Sequence, residues 1–227
     1  MFEEQPQSLQ QRIADLSAEA IQSGHPANWF EPLYQQAQGD ATQIPWAKLQ
    51  PYPYLRDWLE AGAIQGNGRK ALVIGCGLGD DAELLAQRGF KVTAFDIAPT
   101  AIAWCQRRFP DSSVDYQVAD LFKFPQEWQQ RFDLVVEIRD MQALPLNVRT
   151  AVITAVAATV AAAGTLFVVT RIRDNGTIPS GPPWPLSDEE LAQFHQFGLQ
   201  ERDRVQFTVS EQLEVRQVRL VYQRVRV

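Results

Sequence analysis

The chain has 227 residues, 45% of them hydrophobic and 21% charged, and its 27 acidic against 21 basic side chains give a formal net charge of −6. That length buries one sizeable core, and the acidic balance sets most of the surface against polyanions, so a nucleic-acid partner is excluded unless a local basic patch exists. The two cysteines, Cys76 and Cys105, form no CxxC pair or zinc-spaced cluster, which excludes a disulfide framework, and no apolar run reaches membrane-spanning length.

The first five residues, Met-Phe-Glu-Glu-Gln, are acidic and lack the basic start of a secretory signal, so a soluble, cytoplasmic protein is expected. From Ser8 to Ser23 the apolar residues Leu9, Ile13, Leu16, Ala20 and Ile21 recur at helical spacing behind a capping serine. Gly24 to Pro53 is rich in Pro, Gly and aromatics, with little periodicity, and is read as an ordered cover. A helix from about Tyr54 to Ala63 then leads into the turn Gly66-Asn67-Gly68. The division expected is a helical and aromatic cover over 1–66 and a core domain over 67–227, the two forming one structural unit.

After that turn, β-branched runs alternate with helical ones. The expected strands are Ala71 to Ile74, Lys91 to Phe95, Val114 to Val118, Asp133 to Ile138 and Thr165 to Thr170. Between them lie helices at Asp81 to Arg88, at Thr100 to Arg107 and, alanine-rich, at Asn147 to Ala162. Such alternation builds a parallel sheet crossed by right-handed connections. Beyond the prolines at 179, 182, 183 and 185, a helix from Asp188 to Phe197 is capped by Ser187 and stopped by Gly198. Two final runs, Arg204 to Val209 and Val215 to Val225, suit a hairpin, and Arg216, Arg219, Arg224 and Arg226 are read as its wet face. The fold class expected is α/β, doubly wound and Rossmann-like, with a seven-stranded, mostly parallel sheet, an antiparallel C-terminal strand and an N-terminal helical lid.

The strongest local signal is the string Gly75-Cys76-Gly77-Leu78-Gly79-Asp80-Asp81 between a buried strand and a helix. Glycines let a backbone approach a ligand closely, and the helix start offers unpaired N–H groups. A dinucleotide fold wants another glycine three residues after Gly77, but that position is Asp80. Two acids there oppose a phosphate and suit a ligand whose near end carries an ammonium or a sulfonium. Asp96, at a strand end 21 positions after Gly75, stands at the usual distance for a carboxylate that accepts from ribose hydroxyls. Two further strand ends, Ala119-Asp120-Leu121 and Glu137-Ile138-Arg139-Asp140, open at the same edge.

These strings, in this order from Arg69 to Thr170, resemble the class I S-adenosylmethionine-dependent methyltransferases. The resemblance implies S-adenosylmethionine as cofactor, held by Trp29, Trp46, Gly75, Cys76, Gly77, Gly79, Asp81, Asp96, Ile97, Ala119, Asp120, Leu121 and Glu137. In it the glycine turn meets the methionine part, Asp96 the ribose and the segment after Val118 the adenine. Within the class, the GCGxGxD string, Trp29 and Pro45-Trp46 are similar to the thiopurine and thiol or halide methyltransferase branch. Two departures stand out: Val73 replaces an acid two residues before the first glycine, and Ala47 replaces an acid after Pro-Trp. The first leaves Asp80 or Asp81 to meet the cofactor's amino group.

The activity implied is methyl transfer to a small-molecule sulfur, halide, oxygen or nitrogen; the alternative is a non-catalytic binder of the same cofactor. A thiolate or halide acceptor needs alignment and desolvation, whereas a hydroxyl or amine needs a base. Glu137 and Asp140 are the catalytic candidates, ahead of His25 and His195, and Glu137 serves equally as a cofactor ligand. No metal site, nucleic-acid contact or membrane contact is expected.

Overall fold

The computed structural model describes residues 8–211 and 213–225; the acidic residues 1–5 and Arg226 lie outside that range. Seven strands form one sheet: β1 (Lys70–Ile74), β2 (Lys91–Asp96), β3 (Asp115–Val118), β4 (Phe132–Ile138), β5 (Val160–Arg171), β6 (Leu199–Glu211) and β7 (Leu213–Arg224). Their order is β3-β2-β1-β4-β5-β7-β6, with the first five parallel and β7 inserted antiparallel between β5 and β6. Chain order reverses at β1, so the crevice beyond the carboxyl ends of β1 and β4 is the topological switch point where such folds place a ligand.

Both faces of the sheet are covered, which is why its central strands are apolar throughout and do not alternate. Leu72 and Ile74 of β1 join a core with α6 (Arg149–Thr159) and α7 (Asp188–Ala192). Their neighbours Ala71 and Val73 join the opposite core, with α3 (Pro53–Ala61), α4 (Asp80–Gln87) and α5 (Pro99–Arg108). The third cluster is the cover. Here α1 (Leu9–Gln22) and α2 (Phe30–Ala37) bring Ala20, Trp29, Leu33 and Tyr34 onto Ala98, Ala101 and Trp104 around α5 and onto Leu78 of the glycine turn.

Local chemistry accounts for most element ends. Ser8 caps α1 by accepting from the Gln11 N–H, and Ser187 and Glu190 form a reciprocal capping box at α7. Gly198 follows the final one-turn helix in the left-handed conformation. Three differences from the sequence reading have physical causes. The segment over 24–53 contains α2, which has no side-chain cap at Trp29 and is only eight residues long, too short a run for its periodicity to stand out. The alanine-rich helix stops at Thr159, because Val160 already pairs with Phe132, and residues 160–164 belong to β5. Arg219 is not on a wet face: only 9% exposed, it reaches Asp203 at 2.6 Å. Among the described residues no helix is long and apolar enough to cross a membrane.

Candidate functional site

The carboxyl ends of β1, β2 and β4 converge on the glycine turn. Gly75 is left-handed (φ +55°), and a Cβ placed on it would sit 1.9 Å from Asp140 Oδ1, so only glycine allows the β1 and β4 ends to meet. The Cys76 N–H donates to the Phe95 carbonyl at 2.8 Å and the Gly77 N–H to Asp96 Oδ2 at 3.0 Å, which ties the turn to the end of β2. Cys105 Sγ donates to the Gly77 carbonyl from beneath, so both buried cysteines serve as packing around the turn.

The acids of the turn have different duties. Asp80 forms a two-point ion pair with Arg108 at 2.8 and 2.9 Å, which leaves it neutralised by the protein itself. Its expected availability to a ligand ammonium is thereby corrected. Asp81 accepts from the Tyr52 N–H at 2.6 Å, and burial pushes its carboxyl up to about 6. Asp96, 6% exposed, accepts from the Gly77 and Ala98 N–H groups, and burial outweighs those bonds to raise it to about 6 as well.

At the end of β4, Glu137 is fully buried. Its Oε1 accepts from the Asp140 and Met141 N–H groups at 2.7 and 2.8 Å, while its Oε2 has no partner; burial raises it to about 7. Asp140 Oδ2 is also buried without a partner, and burial followed by the charges of Glu137, Asp96 and Asp81 holds this carboxyl well above the usual range. Glu137 therefore clamps the turn that aims Asp140, and Asp140 is the acid lying against Gly75. Four acids surround one turn with no protein cation among their hydrogen-bond partners. Such an arrangement suits a ligand that brings positive charge.

Beyond β2 and β3, Ile97, Ala119 and Leu121 are half-buried, and the Ala119 N–H donates to the Asp96 carbonyl at 3.1 Å. Asp120 Oδ1 accepts from the Phe122 N–H and caps the one-turn helix Leu121–Lys123. Val118 and Phe122 stay exposed, at 53% and 38%, giving this edge the apolar surface a flat base requires.

The cover closes from the other side. Trp29 stacks on Phe30 at 4.1 Å and meets Trp46 edge-on at 5.9 Å, while Trp46 Nε1 donates to Tyr34 OH at 2.9 Å. A Cβ on Gly77 would lie 3.4 Å from Tyr34 OH and 3.8 Å from the Trp46 ring, so the cover rests directly on the turn. Trp29 Nε1 is buried with no partner, an orphan donor of the kind that a ligand acceptor satisfies. Both histidines are exposed; His195 contacts the Leu199 carbonyl at the amino edge of the sheet, far from the turn.

Three residues near the site escaped the sequence reading. Glu31 accepts from the Thr100 N–H and hydroxyl at 3.0 and 2.6 Å, capping α5 from the cover. Arg149, 3% exposed, donates to the carbonyls of Met141, Leu144 and Trp184 and so pins the turn after β4 to the proline-rich loop. Arg139 bridges Tyr52 and Gln217. The pairings of Glu31 and Arg139, and that of Arg149 with Trp184, have no local signal, since the partners are dozens of residues apart, although a buried arginine directly opening a helix invites the question of what it holds. A cavity of about 360 Å³ between Arg171, Arg173, Asp174 and Arg216 opens at this carboxyl edge, whereas another of about 400 Å³ beside Trp58, Arg69 and Asp133 lies at the opposite edge.

The strand order, the glycine turn and the acid ending β2 define the fold of the class I S-adenosylmethionine-dependent methyltransferases. The profile of the thiopurine S-methyltransferase family matches residues 36–225, and the chain belongs to that family. It is 28% identical over 156 residues to a 2-heptyl-1-hydroxyquinolin-4(1H)-one methyltransferase of Mycobacteroides abscessus, covering 66% of each chain. It is 35% identical over 80 residues to a ubiquinone biosynthesis O-methyltransferase of Pseudomonas aeruginosa, covering 34% of each. The chain thus spans two thirds or less of the length of these curated relatives. The N-methyltransferase NodS of Bradyrhizobium japonicum, solved with S-adenosylhomocysteine, shares the fold with a TM-score of 0.62 at 20% identity, over 85% of this chain and 98% of that one.

Proposed function

We propose that the protein transfers the methyl group of S-adenosylmethionine to a small-molecule acceptor. One observation carries the reading: Asp81, Asp96, Glu137 and Asp140 are gathered at a glycine turn, none of them hydrogen-bonded to a cation among the described residues, beside the orphan donor Trp29 Nε1. The cofactor supplies an activated methyl group on a positively charged sulfur. Gly75, Cys76, Gly77, Gly79 and Asp81 form the bed for its methionine end, Asp96 and Ile97 hold the ribose, and Ala119, Asp120 and Leu121 flank the base. Trp29 and Trp46 close over this bed and exclude water.

The acceptor atom can be sulfur, halide, oxygen or nitrogen. Where it carries a proton, Asp140 takes it: a desolvated carboxyl with a raised pKa is a stronger base once ionised, and Glu137 positions it through the Asp140 N–H. For an anionic acceptor the same residues serve alignment alone.

The test is titration calorimetry with S-adenosylmethionine and S-adenosylhomocysteine, with NAD and NADP as controls, followed by transfer of labelled methyl groups to a thiol, phenol and amine panel. Saturable binding of the first pair is expected, weakened in Asp96→Ala by about 1–3 kcal/mol as a buried acceptor is lost. Binding without transfer to any of the panel would make the chain a non-catalytic binder, and preference for a nicotinamide nucleotide would reject the reading.

A further inference from the structure

The end of β4 carries a second polar side chain, that of Arg139, whose partners are Gln217 of β7 and Tyr52, the residue that Asp81 of the glycine turn holds through its N–H. Arg139 is left-handed (φ +71°), a conformation that costs a non-glycine residue on the order of 1–3 kcal/mol and persists only where the surroundings impose it. Its N–H donates to the Val169 carbonyl at 2.9 Å, and the sharp turn sends Asp140 to Gly75 while Arg139 crosses toward β7. There Nη2 donates to Gln217 Oε1 at 2.7 Å and to Tyr52 OH at 3.0 Å, and the guanidinium carbon stands 5.1 Å from the Tyr52 ring centroid.

Both partners are neutral. Elsewhere along the carboxyl edge Arg108 has Asp80, Arg173 has Glu190 and Arg216 has Asp174. For Arg139 no carboxylate lies within ion-pair distance among the described residues, its Nε is buried without a partner, and no hydrogen bond is made by Nη1. A half-buried guanidinium held by neutral acceptors keeps its field for something else. The frame around it is rigid: Tyr52 is fixed by Asp81 through its N–H, and Gln217, 1% exposed, is paired with Arg171 at the last position of β5.

We propose that Arg139, framed by Tyr52 and Gln217, is an anion subsite that binds a planar oxyanion, a carboxylate or ionised aromatic hydroxyl, on the acceptor substrate. Nη2 spends its protons on Gln217 and Tyr52, so the unpaired Nη1 is the group that meets an oxyanion oxygen. It selects ionised acceptors over neutral analogues of equal shape, which deepens the methyltransferase reading and rests on it.

The test uses the full chain saturated with S-adenosylhomocysteine, titrated with benzoate and 4-nitrophenolate and, as neutral analogues, benzamide and nitrobenzene. At least one anion is expected to bind wild type at least tenfold more tightly than its neutral analogue; Arg139→Met abolishes that preference and Arg139→Lys restores part of it. The two anions separate a carboxylate from a hydroxyl source. A wild type that binds neither anion, or an Arg139→Met variant that keeps the preference, overturns the subsite. A purely structural clamp would lower the melting temperature in Arg139→Met without moving the anion preference, which also overturns it. Wild-type binding of S-adenosylhomocysteine, measured first, distinguishes this failure from failure of the methyltransferase reading.

Discussion

At the residue scale, the acids around the glycine turn make the protein sensitive to pH in a direction opposite to that of salt-bridged carboxylates. Asp81 and Asp96 at about 6 and Glu137 at about 7 stand above the ordinary carboxyl values of about 4. Between those limits the folded protein holds protons that the unfolded chain has released, so their contribution favours folding at low pH and is lost as pH rises through about 6–7. A cationic ligand shifts the acids back toward ionisation. Binding of S-adenosylmethionine near pH 6 should therefore release protons, and affinity should rise as pH rises through about 6–7. Calorimetry in buffers of different ionisation enthalpy reads this directly; heats that do not depend on the buffer would mean that these acids do not sense the ligand.

At the element scale, the turn after β4 and the proline-rich loop are held by one side chain. Arg149 opens α6 and spends its guanidinium on the carbonyls of Met141, Leu144 and Trp184, with Glu190 at 3.7 Å. Arg149→Met keeps the stem and removes the fork, leaving three carbonyls short of a donor while Glu190 keeps Arg173. We expect a loss of about 3–5 kcal/mol in urea unfolding, the range for breaking a buried charged network. A loss under about 1 kcal/mol would show that water replaces the fork. This scale also separates what the amino-acid sequence reveals from what it hides. The β1 glycine string and Asp96 are legible because their meaning is local: a strand, a turn that needs left-handed residues and a strand-end acid at fixed distance. The end of α6 is not, because Ala155 to Ala163 offers neither a helical stripe nor strand alternation, and pairing with Phe132 decides it. Arg139 and Glu31 are hidden for a related reason, since each takes its meaning from residues distant in the chain and brought near only by the fold, as does the bond of Arg149 to Trp184.

At the scale of the whole molecule, the cover and the sheet meet through the glycine turn and α5. Tyr34, Trp46 and Trp104 pack around that junction, with Tyr34–Trp46 and Tyr34–Trp104 ring centroids 6.0 and 6.5 Å apart. A ligand lying on the turn touches both bodies and should tighten the cover. Hydrogen exchange of amides in α1 and α2 is expected to slow severalfold on addition of S-adenosylhomocysteine, while β6 and β7 stay unchanged. Equal exchange with and without ligand in α1 and α2 would place the bound nucleoside out of reach of the cover.

The bond from Glu31 to Thr100 limits how such a protein can be rebuilt. Ala98 provides α5 with no side-chain cap, so the helix that follows Asp96 borrows its cap from the cover. The two halves are therefore not interchangeable parts: a cover transplanted from a relative must bring its own carboxylate to Thr100, or the graft will loosen the start of α5 beside Asp96, a place it was never meant to alter.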